Sequence, residues 1–230
     1  MSQVFDADPN SRVFDEISRL SSQDTEEGIR LNPLDSVSKQ ITSSAAKLVV
    51  SKPLVESHRI TELLDFFPNS RAIWMFRHYK DVTRSNLLRW GDGNGFSDLE
   101  PIVNSDLDKW RAAGLEPETV DLIKDNWDAG LTAPDAAALF WYSRNTHFFR
   151  QKLEADSRVL LVRYEDLVHS PVPTFEKIYR FVDQQYPGDS IVGDVSTSSI
   201  GKGAELEFTS SIEELCDSML EQLDSTASTQ

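Results

Sequence analysis

Three short apolar runs stand out along the chain. Residues 47–51 (KLVVS), 72–76 (AIWMF) and 158–163 (RVLLVR) are continuous rather than alternating, and β-branched, aromatic or leucine side chains fill them. Runs of that kind predict strands buried on both faces. Between them the apolar spacing lengthens to three and four. Ile60, Leu63, Leu64 and Phe67 share one face, and Ser57 can cap the helix they predict. A second helix is predicted from about residue 81 to 90, directly after the second strand. Thr132-Ala133-Pro134-Asp135 supplies a capping residue and an early proline for a long helix ending near residue 153. Phe175, Ile178 and Phe181 mark a helix over residues 174–182, and a last helix covers 211–223. Buried strands alternating with helices predict an α/β protein, a three-layer parallel sheet flanked by helices.

Elsewhere the pattern is weaker. Residues 91–96 (GDGNGF) read as a flexible break, and two acidic amphipathic helices are expected over 106–113 and 118–127. Residues 188–207 are polar and rich in Gly and Ser, which predicts a loop. No internal repeat is visible. The 230 residues read as a single domain over 1–225, with residues 91–135 as an acidic helical cap or insertion and 226–230 as a disordered tail.

Composition narrows the function. The net charge of −15 argues against a nucleic-acid partner. No apolar run approaches the roughly 20 residues of a membrane span, and the N-terminus lacks the basic start and apolar core of a secretory signal. One cysteine, Cys216, excludes an intrachain disulfide and a Cys-rich metal site, and it fits a reducing, cytoplasmic compartment. None of the four histidines sits in ligand spacing with another, so no metal is expected. The charge is unevenly spread. Residues 71–90 carry Arg71, Arg77, Lys80, Arg84 and Arg89 against Asp81, whereas residues 91–135 carry eleven acids against Lys109, Arg111 and Lys124. A basic island in an acidic chain suggests a local anion site.

The sharpest pattern lies in that island. Arg77-His78-Tyr79-Lys80-Asp81-Val82-Thr83-Arg84-Ser85 begins where a buried strand ends and runs into a helix. Ligands of open α/β sheets bind at the carboxyl ends of strands. A helix start there offers free amides to an anion, and an arginine can hold a phosphate through two parallel bonds. An Arg and a Ser eight residues apart also occur on ordinary protein surfaces, so the surrounding motifs decide the matter.

Residues 67–85 (FPNSRAIWMFRHYKDVTRS) resemble the 3′-phosphate-binding segment of sulfotransferases that use 3′-phosphoadenosine 5′-phosphosulfate (PAPS). In that family a strand ends in Arg, a Pro-Lys/Arg-Asp turn follows, and a Ser comes eight residues after the Arg. The resemblance makes Arg77 and Ser85 the holders of the 3′-phosphate; Tyr79 stands where the family usually has proline. Residues 159–171 (VLLVRYEDLVHSP) resemble the family's strand followed by Tyr-Glu-Asp-Leu, which implies that Tyr164 lies near the adenine and that Glu165 and Asp166 fix the loop. Ser51-Lys52-Pro53 is similar to the family's Lys-Thr/Ser-Pro, whose lysine approaches the transferring sulfate. Asp6-Ala7-Asp8-Pro9, followed by Val13-Phe14-Asp15-Glu16, resembles the stretch in tyrosylprotein and bacterial sulfotransferases where a glutamate seven residues past a proline is the base; Glu16 takes that place. Ser198-Ser199-Ile200-Gly201-Lys202-Gly203 is like the late Gly-basic loop over the cofactor, with Lys202 as the candidate. The matches run in the family's order from Asp6 to about Leu223.

The resemblance implies a fold like that of P-loop nucleotide hydrolases. The family's first strand and its Pro-x-Ser/Arg-Gly-Thr-Thr loop around the 5′-phosphosulfate have no counterpart, since residues 1–5 align with the end of the helix after that loop. Either the start codon lies upstream or the chain is a degenerate paralogue. Two functions stay open: transfer of a sulfuryl group from PAPS to a hydroxyl or amine, and a non-catalytic remnant that binds 3′-phosphoadenosine nucleotides. A P-loop kinase is disfavoured, because there is no Gly-Lys-Ser/Thr loop and no strand ending in a magnesium-binding Asp. The acceptor would be a small molecule, a carbohydrate or a peptide, with no nucleic-acid or membrane partner, and nothing in the pattern sets an oligomeric state. The acidic segment 91–135 falls where the family often builds its acceptor cover, so polyanionic acceptors such as heparan chains are expected to be poor substrates. Efficient sulfation of such a polysaccharide at low salt, in a labelled-PAPS assay, would contradict that.

Overall fold

The apolar runs are strands, and their pairing is parallel. In the computed structural model, which describes residues 1–22, 30–53, 55–128 and 130–230, a short helix α1 (Ser2–Asp6) leads into strand β1 (Ser11–Phe14). The two-residue strands β2 (Ser21–Ser22) and β3 (Arg30–Leu31) pair antiparallel, and helix α2 (Leu34–Thr42) follows. Strand β4 (Leu48–Ser51) then lies parallel to β1, with Ser11 opposite Leu48 and Phe14 opposite Ser51. Helix α3 (Ile60–Phe66) precedes β5 (Ala72–Phe76) and α4 (Tyr79–Trp90). Helices α5 (Asn94–Val103), α6 (Pro117–Asp125) and α7 (Ala133–Arg150) come next. Strand β6 (Val159–Arg163) returns parallel to β5, with Ala72 opposite Val159 and Phe76 opposite Arg163. Helices α8 (Tyr164–His169), α9 (Pro171–Phe181) and α10 (Ser210–Thr229) complete the chain.

This is an α/β fold of parallel strands flanked by helices. The strands pair two by two; among the described residues no ladder joins the β1–β4 pair to the β5–β6 pair. Strand β6 shows why the runs do not alternate. Its Val159 and Leu161 pack into a core with Leu139 and Phe148 of α7 and Cys216 and Leu223 of α10. Its Leu160 and Val162 pack on the other face with Phe5 of α1 and Phe175, Ile178 and Tyr179 of α9. Both faces are covered, so the strand is apolar from Val159 to Val162. No helix among the described residues is long and apolar enough to cross a membrane.

Several local expectations are corrected. Helix α4 begins at Tyr79, two residues earlier than predicted, because the His78 ring accepts a bond from the Lys80 amide (3.3 Å) and caps it. Ser57 opens a single 3-10 turn, Ser57–Arg59, and its hydroxyl accepts from the Arg144 guanidinium instead of capping α3. The stretch 91–96 breaks only at its start. Gly91 takes a left-handed φ of 82°, but Gly95 lies inside α5, where a Cβ would come within 2.7 Å of the Ala137 amide of α7. Residues 106–113 form turns, not a helix. Ser105 takes φ 54°, Arg111 reaches back to the buried Asp98 (2.6 Å), and the Trp110 carbonyl accepts from Arg144 (3.0 Å). These contacts with α5 and α7 fix the segment more strongly than helical propensity does. The tail is helical through Thr229, and the Gln230 side chain accepts a bond from the Leu161 amide of β6 (2.8 Å). The loop over 188–207 is as read apart from a 3-10 turn at Asp189–Val192. The Thr132 cap closes a reciprocal capping box with Asp135.

The packing of α7 on the turn at Ser57–Arg59 buries a histidine without partners. His147 is fully buried, and neither ring nitrogen finds a hydrogen bond among the described residues. Its ring centroid lies 6.3 Å from that of His58. Burial, then the charges of Arg144 and Arg150, hold its pKa down to about 2. His58 is held to about 4, mainly by burial and by Arg144. Both values are below the ordinary 6.5, so the unfolded chain takes up protons the folded chain refuses. The stabilising contribution is complete above pH 6.5 and is lost progressively as pH falls from there toward 4 and below. Thermal melts between pH 7.5 and 4.5 should show a falling midpoint. His147→Leu, which removes a buried polar ring, should flatten that slope without lowering the midpoint at pH 7.5.

Candidate functional site

The site grows from the end of β5. Beyond Phe76 the chain turns sharply, and three contacts fix the turn. The Glu165 carboxylate, at the start of α8, accepts the His78 amide (3.0 Å). The Trp141 indole of α7 donates to the Arg77 carbonyl (3.1 Å). Arg163, which ends β6 opposite Phe76, pairs with Glu165 at 3.3 Å. The backbone of this corner is therefore held from α7 and from α8 at once.

The Arg77 side chain is mostly buried and stacks on Tyr164, with the guanidinium carbon 4.9 Å from the ring centroid. That geometry is a cation–π contact. One terminal nitrogen lies 3.5 Å from Asp81 and donates to the Ser199 carbonyl, while Nε is buried and has no partner among the described residues. The Tyr164 hydroxyl bonds the Ser199 hydroxyl at 3.0 Å. The late loop thus closes over the corner. Asp81, 5% exposed, accepts the amides of Gly201 and Gly203, both at 2.9 Å. Gly203 presses against the first turn of α4: a Cβ there would sit 2.0 Å from the Lys80 carbonyl oxygen. Only glycine fits such an approach.

A second group lies at the ends of the other strand pair. Because β1 and β4 run parallel with Phe14 opposite Ser51, their carboxyl ends share an edge, and Glu16 and Lys52 follow just beyond. Both line one small cavity of about 10 Å³ together with Asp15, Arg30 and Ser51. The Lys52 amide extends the ladder by donating to the Phe14 carbonyl (2.9 Å). One wall of this cavity is held by Glu56, fully buried, which accepts the Leu31 amide (2.7 Å) and pairs with Arg59.

The six residues singled out in the sequence therefore fall into three situations. Arg77 meets Tyr164. Glu16 meets Lys52. Ser85 and Lys202 are exposed, Ser85 near the middle of α4 and Lys202 at the tip of the late loop, and neither touches Arg77 by any bond among the described residues. Sequence reasoning placed Asp81 in the turn after Arg77 but gave it no role of its own, and it did not single out Ser199 or Trp141. Their roles arise from contacts with residues 120, 122 and 64 positions away. The one available signal was Gly201-x-Gly203, a pair of bare amides with an unmatched acid elsewhere.

The profile of the sulfotransferase family matches residues 8–188, and the chain belongs to that family. No curated protein matches. Among solved structures, the sulfotransferase domain from the curacin biosynthetic pathway is 16% identical, with a TM-score of 0.49 over 83% of this chain and 67% of its own. The sulfotransferase domain from the Synechococcus PCC 7002 olefin synthase is also 16% identical, with a TM-score of 0.47 over 83% of this chain and 65% of its own. The chain spans about two thirds of the length of each.

Replacing Gly203 by alanine should force the late loop off α4 and cost about 2 kcal/mol, as overpacking against backbone does. Lys202→Ala, at the exposed position next to it, should stay within about 0.5 kcal/mol of the parent. Urea denaturation of both variants measures the difference.

Proposed function

We propose that this chain transfers a sulfuryl group from PAPS to a hydroxyl or amine acceptor by in-line displacement. The observation that carries the reading is Arg77: a guanidinium at a strand-to-helix corner, stacked on Tyr164, with a buried Nε that finds no hydrogen-bond partner among the described residues. Buried donors are nearly always paired, so an orphan on a cation fits an anionic oxygen supplied from outside. The 3′-phosphate of an adenosine nucleotide meets that requirement, and the Tyr164 face beside it suits an adenine. In this reading Ser85 and Lys202 are further contacts to the nucleotide. Both reach it only by side-chain or loop movement from their exposed positions.

PAPS supplies the activated sulfuryl group. The protein's part is positioning and charge. Glu16 accepts the proton of the acceptor as its oxygen or nitrogen bonds to sulfur and the bond from sulfur to the phosphate oxygen breaks. Lys52 steadies the negative charge at that centre, and adenosine 3′,5′-bisphosphate leaves. The cavity lined by Glu16 and Lys52, about 10 Å³, is about the size that admits a single water, so an acceptor requires it to widen. Small-molecule, carbohydrate and peptide acceptors all remain compatible with this chemistry. That narrowness favours a second reading, a protein that binds 3′-phosphoadenosine nucleotides at the Arg77 corner and transfers nothing.

Calorimetry with adenosine 3′,5′-bisphosphate, set beside a sulfate-transfer assay, separates these outcomes. Arg77→Ala should weaken binding about 30- to 100-fold, the worth of a charge-assisted pair. Glu16→Gln should bind normally and lose about 10²- to 10⁴-fold in turnover. Binding without transfer by the parent chain selects the second reading. No binding at all removes both.

A further inference from the structure

The late loop does more than pass over the Arg77 corner. Its Ser199 carbonyl accepts from the Arg77 guanidinium, the place an anionic oxygen would take, and its Ser199 hydroxyl bonds Tyr164 (3.0 Å). Two and four residues later the amides of Gly201 and Gly203 both end on the Asp81 carboxylate at 2.9 Å. Asp81 lies one turn along α4 from Arg77 and faces the same guanidinium at 3.5 Å. One carboxylate thus contacts both the loop and the cation that the loop covers. The Gly203 backbone rests directly on the Lys80 carbonyl, which leaves that end of the loop little freedom.

We propose that Asp81 is a positioning residue that pins the 199–203 loop as a latch, with the Ser199 carbonyl occupying the anion position of Arg77 until a ligand displaces it. Of the latch contacts, the bond to Ser199 is the one a phosphate oxygen can replace. The two amide bonds to Asp81 are charge-assisted and among the stronger kind. Displacement therefore lifts Ser199 while Gly201 and Gly203 stay seated on Asp81, and the segment that carries Lys202 is held beside the corner. The identity of the displacing ligand rests on the nucleotide reading above; the pinning by Asp81 does not.

Trypsin cleavage after Lys202, followed by mass spectrometry on the full chain, reads the latch directly. The rate is divided by that of cleavage within α9, at Lys177 and Arg180, which corrects for any general loss of stability. Asp81→Asn keeps one acceptor and loses the other with the charge. It should raise the ratio about ten-fold, the effect of losing one such bond. An unchanged ratio overturns the proposal. In the parent chain, saturating adenosine 3′,5′-bisphosphate should leave cleavage after Lys202 unchanged or slower, and Asp81→Asn should bind the nucleotide several-fold faster, which a merely structural aspartate would not cause. Faster cleavage on binding, or unchanged association in the variant, also overturns the latch. A parent chain that binds no nucleotide counts against the proposed function, while the ratio measured without ligand still decides whether Asp81 pins the loop.

Discussion

The structure depends on one kind of bond: a buried carboxylate that accepts a donor from a distant segment. Glu56 takes the Leu31 amide, Asp81 the amides of Gly201 and Gly203, Asp135 that of Thr209 and Glu165 that of His78. Asp8 takes the Tyr179 hydroxyl, 171 positions away, at 2.9 Å. All of these acids are buried. A buried carboxylate without partners is costly, and backbone N–H dipoles are a rigid way to satisfy it. Such a bond fixes two chain segments at once. In a fold whose strands pair only two by two, these acids do much of the joining that ladder hydrogen bonds do in a wider sheet. They also mean that a net charge of −15 overstates how much negative charge faces solvent.

The parts of the fold legible in the sequence were those fixed by local chemistry. The runs at Leu48–Ser51, Ala72–Phe76 and Val159–Arg163 are strands, because only a doubly covered strand tolerates apolar residues at every position. Thr132 and Asp135 form their capping box because both partners lie within one turn. The illegible parts were fixed from afar. Strand β1 (SRVF) is half polar, and its pairing with β4 bridges more than thirty positions. Gly95 looked like a breaker and is instead the thin point where α5 meets α7. Trp110 and Arg111 looked like helix residues and are drawn into turns by Arg144 and Asp98.

The site divides in the same way. Arg77 and Tyr164 both follow the ends of strands that are neighbours, so the register alone brings them together. Glu16 and Lys52 likewise follow a parallel pair. Motif spacing sufficed for these four. Ser85 and Lys202 are carried on a helix and a loop whose side chains face solvent, and spacing says nothing about which way such residues turn. The contact of Asp81 with the amides of Gly201 and Gly203 could not be read from the motif, because it is tertiary and its partner is a loop that has no regular structure of its own.

The tight seam at Gly95 has a mechanical consequence. Helix α5 approaches the start of α7 with almost no side chain between them, at Ala136 and Ala137, and close-packed seams of that kind do not slide by small amounts. Any rocking of α5 must therefore carry α7 along. Helix α7 also holds the Arg77 carbonyl through Trp141. Whatever displaces α5 is geared to the Arg77 corner about one helix turn further along α7, so the two behave as one lever.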